Sequence, residues 1–194
     1  MTEQPAEQRR VTISDPQVMR ALAHPARLAI MEHLTSTGAA VTATECAEIV
    51  GLSPSATSYH LRELAKFGLV EQAPTRGDAR ERLWRSTVHS WGVEAGQDAP
   101  PEARAAEEAL VEVYAARDFE RIRDWVRRSR DEPKEWYEAA MISGPVLLLT
   151  ADELTALNDA VRELMKPYRR RERLADPPEK ARPVMVHYAA LPMD

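Results

Sequence analysis

The chain has little of several things that define other protein classes. Its only cysteine is Cys46, so a disulfide scaffold is excluded and one copy holds too few thiols for a thiolate metal site. No apolar run approaches the roughly 20 residues that cross a bilayer. The first ten residues, MTEQPAEQRR, are polar and do not resemble a secretory signal. We therefore expect a cytoplasmic protein without a membrane partner.

Positive charge and enzyme motifs are also scarce. The 194 residues carry a formal net charge of −5, with 31 acidic against 26 basic side chains. This deficit does not exclude a nucleic-acid partner, because binding depends on the local distribution of charge. The sequence contains no phosphate loop, nucleophile elbow, metalloprotease helix or convincing acid–base pair. The chain is therefore not expected to be an enzyme, and its length suits one extended domain or two small ones.

The most informative segment is 51–70, GLSPSATSYHLRELAKFGLV. Gly51 can take the left-handed conformation in which helices end. Ser53 directly before Pro54 is a strong helix start, with a serine N-cap and proline at the first helical position. The two signals predict a tight turn between two helices, as in a helix-turn-helix.

The second helix of this motif has two different faces. At about 3.6 residues per turn, the apolar face comprises Thr57, Leu61, Leu64 and Ala65. The opposite, polar and mostly cationic face comprises Ser55, Tyr59, Arg62 and Lys66. Such donors, acceptors and cations suit base edges and phosphates in a major groove. An ordinary amphipathic surface helix has a similar pattern, so the flanking sequence must decide.

The flanking segments complete a winged helix-turn-helix. Upstream, Thr42 and Glu45 have capping-box spacing, and the helix they begin carries an apolar stripe of Cys46, Ile49 and Val50. Downstream, Gly68 ends the second helix and Leu69-Val70 begins a strand. Turn residues follow at 74–78, and the segment 80–86, RERLWRS, is typical of a returning strand.

The predicted wing carries four arginines, Arg76, Arg80, Arg82 and Arg85. A basic hairpin tip can contact phosphate or an adjacent minor groove while the helix occupies the major groove. Alternatively, the tip is charged only because it is solvated. Strand alternation can also turn Arg82 or Arg85 toward Trp84 or the core.

Three segments together resemble the ArsR family of bacterial winged-helix transcriptional regulators. They are ALAHPARLAIMEHL at 21–34, SPSATSYHLRELAKFGLV at 53–70 and RERLWR at 80–85. The resemblance covers about residues 15–90 and implies a homodimer on a palindromic operator, commonly with repression relieved by a metal or other signal. Together with the helix cap, Lys66 and the wing, it gives the candidate DNA-contacting residues Ser53, Ser55, Ala56, Thr57, Ser58, Tyr59, His60, Arg62, Lys66, Arg76, Arg80 and Arg82.

The chain departs from the metal sensors of that family. Cys46 has no second thiol on its helix and is interpreted as a core residue. The five histidines are scattered, with no pair at ligand spacing. We interpret His24 and His60 as packing and hydrogen-bonding members of the fold. No metal or cofactor is expected.

The second half of the chain is predicted less sharply. Residues 92–101 are typical of a linker, and 102–130 are helical with two apolar faces, around Leu110 and around Phe119. Either the helix buries both faces or it breaks near Asp118, which would then cap a second helix. One face is assigned to a homodimer interface.

Further along, residues 136–150 are predicted as two short strands about Gly144-Pro145, and 183–191 as a strand completing a small sheet with them. Thr150 and Glu153 have capping-box spacing ahead of a helix that Pro167 should end, and RRRER at 169–173 is a basic tail. The candidate walls of an effector pocket are the aromatic residues Trp125, Trp136, Tyr137 and Tyr168. An ordinary aromatic core is the alternative, and no ligand can be named.

Together these features predict a mainly α fold with small β elements. The expected domains are a polar arm at 1–14, a winged helix-turn-helix at 15–91, a linker at 92–101 and an α+β dimerisation or effector region at 102–194. The expected function is a homodimeric, sequence-specific transcriptional regulator, most simply a repressor, bound to a double-stranded DNA operator. A small-molecule effector remains open. The alternative is a winged-helix protein-interaction module that does not read DNA.

Overall fold

The chain forms two compact units in a computed structural model that describes residues 10–74 and 82–193. The N-terminal unit extends to Arg117 and the C-terminal unit begins at Asp118. The division falls within one long helix, not in the predicted linker. None of the helices in the described ranges is both long and apolar enough to cross a membrane.

The N-terminal unit is a winged helix-turn-helix. Its elements are β1 (Arg10–Ile13), α1 (Pro16–Leu22), α2 (Pro25–Thr37), α3 (Ala43–Val50), α4 (Pro54–Lys66), β2 (Val70–Ala73), β3 (Leu83–Ser86), β4 (Ser90–Val93) and the first part of α5 (Pro101–Arg128). The antiparallel pair β2 and β3 forms the wing, and Val41 bridges to Trp84 beside it. β1, in the predicted N-terminal arm, pairs in parallel with β4. The predicted mainly α fold with small sheets is confirmed.

Local sequence signals set the helix ends as predicted. Gly51 ends α3 with φ of 70°, in the left-handed region that favours glycine. The Ser53 hydroxyl accepts a hydrogen bond from the Ala56 amide at 3.2 Å and caps α4, with Pro54 in its first turn. Thr42 and Glu45 form the predicted capping box of α3. The residues from which the turn between α3 and α4 is predicted, Gly51 and Ser53, therefore form that turn in the structure.

One apolar core holds the N-terminal unit together. Leu22, Met31 and Leu34 pack there with Leu61 and Leu64 of α4, and all five are completely buried. The core also receives Cys46, Trp84 and two residues of α5, Ala106 and Leu110. The predicted Ile49 stripe is only partly correct, because Ile49 is 49% exposed. Since burial of apolar surface is the main stabilising term, this core fixes α4 in place.

The C-terminal unit contains the end of α5, then α6 (Lys134–Ala139), α7 (Ala151–Met165) and α8 (Arg170–Arg173). Thr150 and Glu153 form the predicted capping box of α7. α7 ends at Met165, and Pro167 follows in a short 3-10 turn, as the missing proline amide requires. Leu164 near the end of α7 and Tyr168 just after it are both exposed.

One prediction for this half of the chain is wrong, and one of the two alternatives for residues 102–130 is excluded. The described part of the C-terminal unit contains no strand: 136–139 belongs to α6, whereas 140–150 and 183–191 have no strand partner. Alternating apolar residues indicate a strand only where a second strand supplies the hydrogen bonds. α5 also runs unbroken through Asp118, whose carboxylate contacts His187 and does not cap a new helix.

Candidate nucleic-acid interface

α4 presents one face to the core and the other to solvent. Thr57, Leu61 and Leu64 are fully buried, each a turn or so from the next. Because these side chains pack in the core, the backbone of α4 has a fixed position in the N-terminal unit, and the outer side chains project from it. A fixed helix backbone favours binding, because less conformational entropy is lost when the ligand binds.

The outer face of α4 matches the predicted set. All four of its members are exposed, namely Ser55, Tyr59, Arg62 and Lys66. The Arg62 Nε donates to the Ser58 carbonyl at 3.1 Å, which orients the guanidinium along the helix. Lys66 Nζ lies 2.6 Å from the Glu63 carboxylate. Such an exposed pair stabilises little, so a phosphate can compete for the lysine at small cost.

The N-terminal end of α4 is also open to solvent. The Ser53 and Ser55 hydroxyls lie 3.1 Å apart in the first turn, where the helix dipole favours an anion. Leu52 precedes the cap and is partly exposed, and it is a further candidate contact that the polar pattern of the sequence does not indicate. Its position one residue before the serine cap is the sequence feature that places it at the open end of α4. A side chain there can contact apolar parts of a bound ligand.

Four candidates in α4 are less accessible than the outer face. Thr57 has no exposed surface, so its side chain cannot reach a base. Ala56 and Ser58 are half-buried, as is His60, whose ring lies 4.7 Å from that of His24. Thr57 is therefore removed from the set of side-chain contacts because its face of the helix turns inward.

His24 and His60 join the N-terminus of α2 to α4. The His24 Nδ1 accepts a hydrogen bond from the Ala26 amide at 3.1 Å and so caps α2. Burial and the nearby Arg27 lower the pKa of His24. Burial lowers the pKa of His60 as well, helped by His24 and Arg27. His24 therefore has the packing and hydrogen-bonding role predicted for it. His60 packs against His24, but among the described residues its buried Nδ1 has no hydrogen-bond partner.

The wing is described on its strands but not at its tip. Arg76 and Arg80 lie outside the described residues. Arg82 is exposed directly before β3. Arg85 is also exposed and lies 2.6 Å from the Glu71 carboxylate on β2, so its charge is balanced on the strand. Arg82 is the described wing residue best placed to supply positive charge.

The remaining candidate chemistry does not assemble into a site. Cys46 is fully buried, and burial raises the pKa of its thiol to about 11. In the described ranges, no three metal-binding side chains of the His, Cys, Asp or Glu type come together. Three of the four candidate pocket aromatics are covered by separate arginines: Arg128 over Trp125, Arg182 over Trp136 and Arg173 over Tyr168. Each of these three rings therefore has a guanidinium over one face.

Comparison with known proteins agrees with this geometry. Residues 22–73 match a family described as a helix-turn-helix domain. This segment contains α2, α3, α4 and the first wing strand. No curated protein matches the chain in sequence. The match and the wing hairpin together identify a winged helix-turn-helix domain, the DNA-binding module of transcriptional regulators.

Solved structures show weaker overall likenesses. The homodimeric winged helix-turn-helix domain of a possible ArsR-family regulator from Mycobacterium bovis is 28% identical, with 52% of this chain and 76% of that chain covered and a TM-score of 0.32. ZitR from Lactococcus lactis is 16% identical over 75% of each chain, with a TM-score of 0.32. Apo MarR from E. coli is 16% identical over 78% of this chain and 88% of its own, again at 0.32. Superpositions this loose transfer neither assembly nor ligand to this chain.

Proposed function

We propose that the protein is a homodimeric, sequence-specific transcriptional repressor that places α4 in the major groove of its operator. The observation that carries the proposal is the outer face of α4. Four exposed side chains with hydrogen-bonding or cationic groups stand on a helix whose inner face is fully buried. The resemblance of residues 15–90 to ArsR regulators supports repression as the direction of control.

Each outer side chain suits a different part of a duplex. Arg62 can donate two hydrogen bonds to a guanine edge, whereas Tyr59 and Ser55 can donate to or accept from bases or phosphates. Lys66, near the C-terminus of α4, suits the phosphate backbone. Leu52 at the other end suits the methyl group of a thymine. Arg82 would carry the wing toward phosphate or a minor groove.

α5 supports the homodimer part of the proposal. Its apolar stripe comprises Val111, Ala115, Phe119, Ile122 and Val126, spaced by four, four, three and four residues, of which Ala115 and Ile122 are partly buried. Val111, Phe119 and Val126 are among the exposed large apolar side chains of the protein. Residues at this spacing lie along one side of a helix and form the seam of paired helices.

The charges on α5 favour an antiparallel pair. Residues 101–114 carry four acidic and one basic side chain, whereas 115–128 carry three acidic and five basic ones. An antiparallel second copy would place each acidic half beside the partner's basic half. This complementarity selects the orientation and the partner, while the apolar stripe supplies the burial.

Binding can be tested on DNA selected from a random library by the full-length protein. Anisotropy titrations on the selected duplex should show affinity that falls steeply with salt, because neutralised phosphates release counterions. Arg62→Ala should weaken binding by about 1–3 kcal/mol, and Arg82→Ala should weaken it and reduce the salt slope by about one unit. Arg162→Ala removes an exposed arginine on α7, outside α4, the wing and α5. It is the charge-matched control and should leave affinity unchanged.

Other outcomes of these titrations favour other functions. Absence of any salt-dependent binding would contradict the proposal and favour the protein-interaction module. Equal losses in Arg62→Ala and Arg162→Ala would show that only net charge matters and would contradict base reading by α4. A reporter gene behind the selected site tests the direction of control: expression should fall when the protein is present, and a rise would contradict repression.

A further inference from the structure

The C-terminal unit lacks an apolar core of its own. Among its described residues, 118–193, the single buried side chain is the carboxylate of Asp118. The N-terminal unit, by contrast, buries more than a dozen apolar side chains. A unit of this length depends on apolar burial to offset the entropy of ordering its chain. A core for this unit would therefore have to include surface from outside a single copy.

The uncovered apolar surface is concentrated in two segments, 141–149 and 183–191. Val146 is 79% exposed and Leu148 is 101% exposed in the first, while Val184 and Val186 are 68% and 65% exposed in the second. Both segments run without helix, turn or bend, and neither pairs with a strand. Contiguous apolar surface of this kind marks an interaction site.

The second segment is held to its own unit by the side chains at 187 and 188 and by Arg182 just before it. The His187 Nδ1 lies 2.7 Å from the Asp118 carboxylate, and the Tyr188 hydroxyl donates to the Asn158 side chain at 3.0 Å. The Arg182 guanidinium makes two hydrogen bonds to the Glu132 carboxylate just before it, at 2.7 and 3.2 Å. Val184 and Val186 lie between these contacts and remain exposed, which leaves this stretch of extended backbone accessible to a neighbouring strand.

The first segment has the composition of a strand covered on both faces. Its run of Val146, Leu147, Leu148 and Leu149 is apolar at consecutive positions, so both sides of a strand would need cover. Pro145 lacks an amide hydrogen and sits ahead of this run, where it would not interrupt the hydrogen bonds of the strand that follows. The segment therefore suits pairing along 146–149.

We propose that these two segments form an intermolecular sheet, in which residues 141–149 of one copy pair with residues 183–191 of a second copy. This inference rests on the proposed homodimer and adds how the C-terminal unit obtains its core. A two-fold axis makes the same pairing twice, which satisfies both segments of both chains. The antiparallel charge complementarity along α5 selects a second copy as the occupant.

The available surface is large enough for a stable dimer. The two segments and Met193 present twelve large apolar side chains to solvent. At roughly 100 Å² each they offer on the order of 1,000 Å², compared with about 800 Å² per partner in a standard interface. Pairing the backbones would also satisfy amide and carbonyl groups that have no strand partner in one copy.

Cysteine cross-linking tests the pairing directly. Two copies with different tags are co-expressed, one with Leu148→Cys and the other with Val186→Cys, and the purified full-length protein is oxidised. Cys46 stays in both because it is buried. We expect a disulfide-linked band that carries both tags. The matched control pairs Leu148→Cys with Leu174→Cys, a partly exposed leucine outside both segments, and should give no such band. A mixed band of equal yield in the control, or no mixed band in the test pair, would overturn the proposal.

Light scattering separates this inference from the homodimer itself. Leu148→Asp changes a side chain that is fully exposed in one copy, so it should leave the melting of an isolated copy unchanged. It should raise the dissociation constant of the dimer by about a hundredfold or more, because two carboxylates would be buried. Leu174→Asp should not. A dimeric Leu148→Asp protein with wild-type affinity would refute the intermolecular sheet alone, whereas a monomeric wild-type protein would refute the homodimer as well.

Discussion

Gly51, at the turn of the helix-turn-helix, offers a clean test of how the turn is built. Its φ is 70°, and a Cβ built on it would meet no atom within 4 Å. Replacement by alanine therefore adds backbone strain without a collision. A left-handed conformation costs an ordinary L-residue about 1 kcal/mol. Gly51→Ala should lower the free energy of unfolding by that amount, and Gly51→Asn should lower it less, because asparagine tolerates this conformation better.

The measurement is urea unfolding followed by tryptophan fluorescence at one fixed protein concentration, since the stability of an oligomer depends on concentration. The midpoint should shift in the order glycine, asparagine, alanine with unchanged slope. If alanine were harmless, the left-handed turn would be wrong. If asparagine were worse than alanine, the cost would be steric, and the open space around Gly51 would be contradicted.

Three other properties of the N-terminal unit can be predicted. Folding lowers the pKa of His24 and His60, so the folded state binds fewer protons than the unfolded state. The free energy of unfolding should therefore be at its full value above the unfolded pKa of about 6.5 and should fall as the pH drops below it. Unfolding curves that do not change from pH 7.5 to 5 would contradict this. Cys46, buried and with its pKa raised to about 11, should react with a thiol reagent at pH 8 only after unfolding, and rapid native labelling would refute that. Leu64→Ala should cost about 3 kcal/mol in unfolding free energy and exposed Ile49→Ala about 0.5 or less, so similar costs would contradict the packing.

The N-terminal unit was predictable because its signals are local. Gly51, Ser53 and the Thr42–Glu45 box each act within a few residues, and all three occur in the structure as predicted. The two faces of α4 followed from helical periodicity for the same reason. The role of His24 as a helix cap was less evident, because histidine is not among the preferred N-cap residues. Helical periodicity also places Thr57 on the buried face of α4, whereas its position in the family motif alone makes it a candidate DNA contact.

The C-terminal unit was harder to predict because its partners are distant in sequence. Residues 141–149 and 183–191 have strand composition, but strands need a neighbour that composition does not identify. The neighbours of Asp118 allow a helix-capping role as one alternative, whereas its partner His187 lies 69 residues away in sequence. Three of the aromatic rings predicted to line a pocket have an arginine over one face, and sequence spacing could not place these arginines.

The central claim is that the outer face of α4 reads base sequence. The most direct measurement is the set of DNA sites selected from a random library by the wild-type protein and by Arg62→Ala. We predict an inverted repeat with half-sites about one helical turn apart, and relaxed preference at one position of each half-site when Arg62 is removed. An identical motif selected by both proteins with equal affinity, or no enriched motif at all, would contradict the claim.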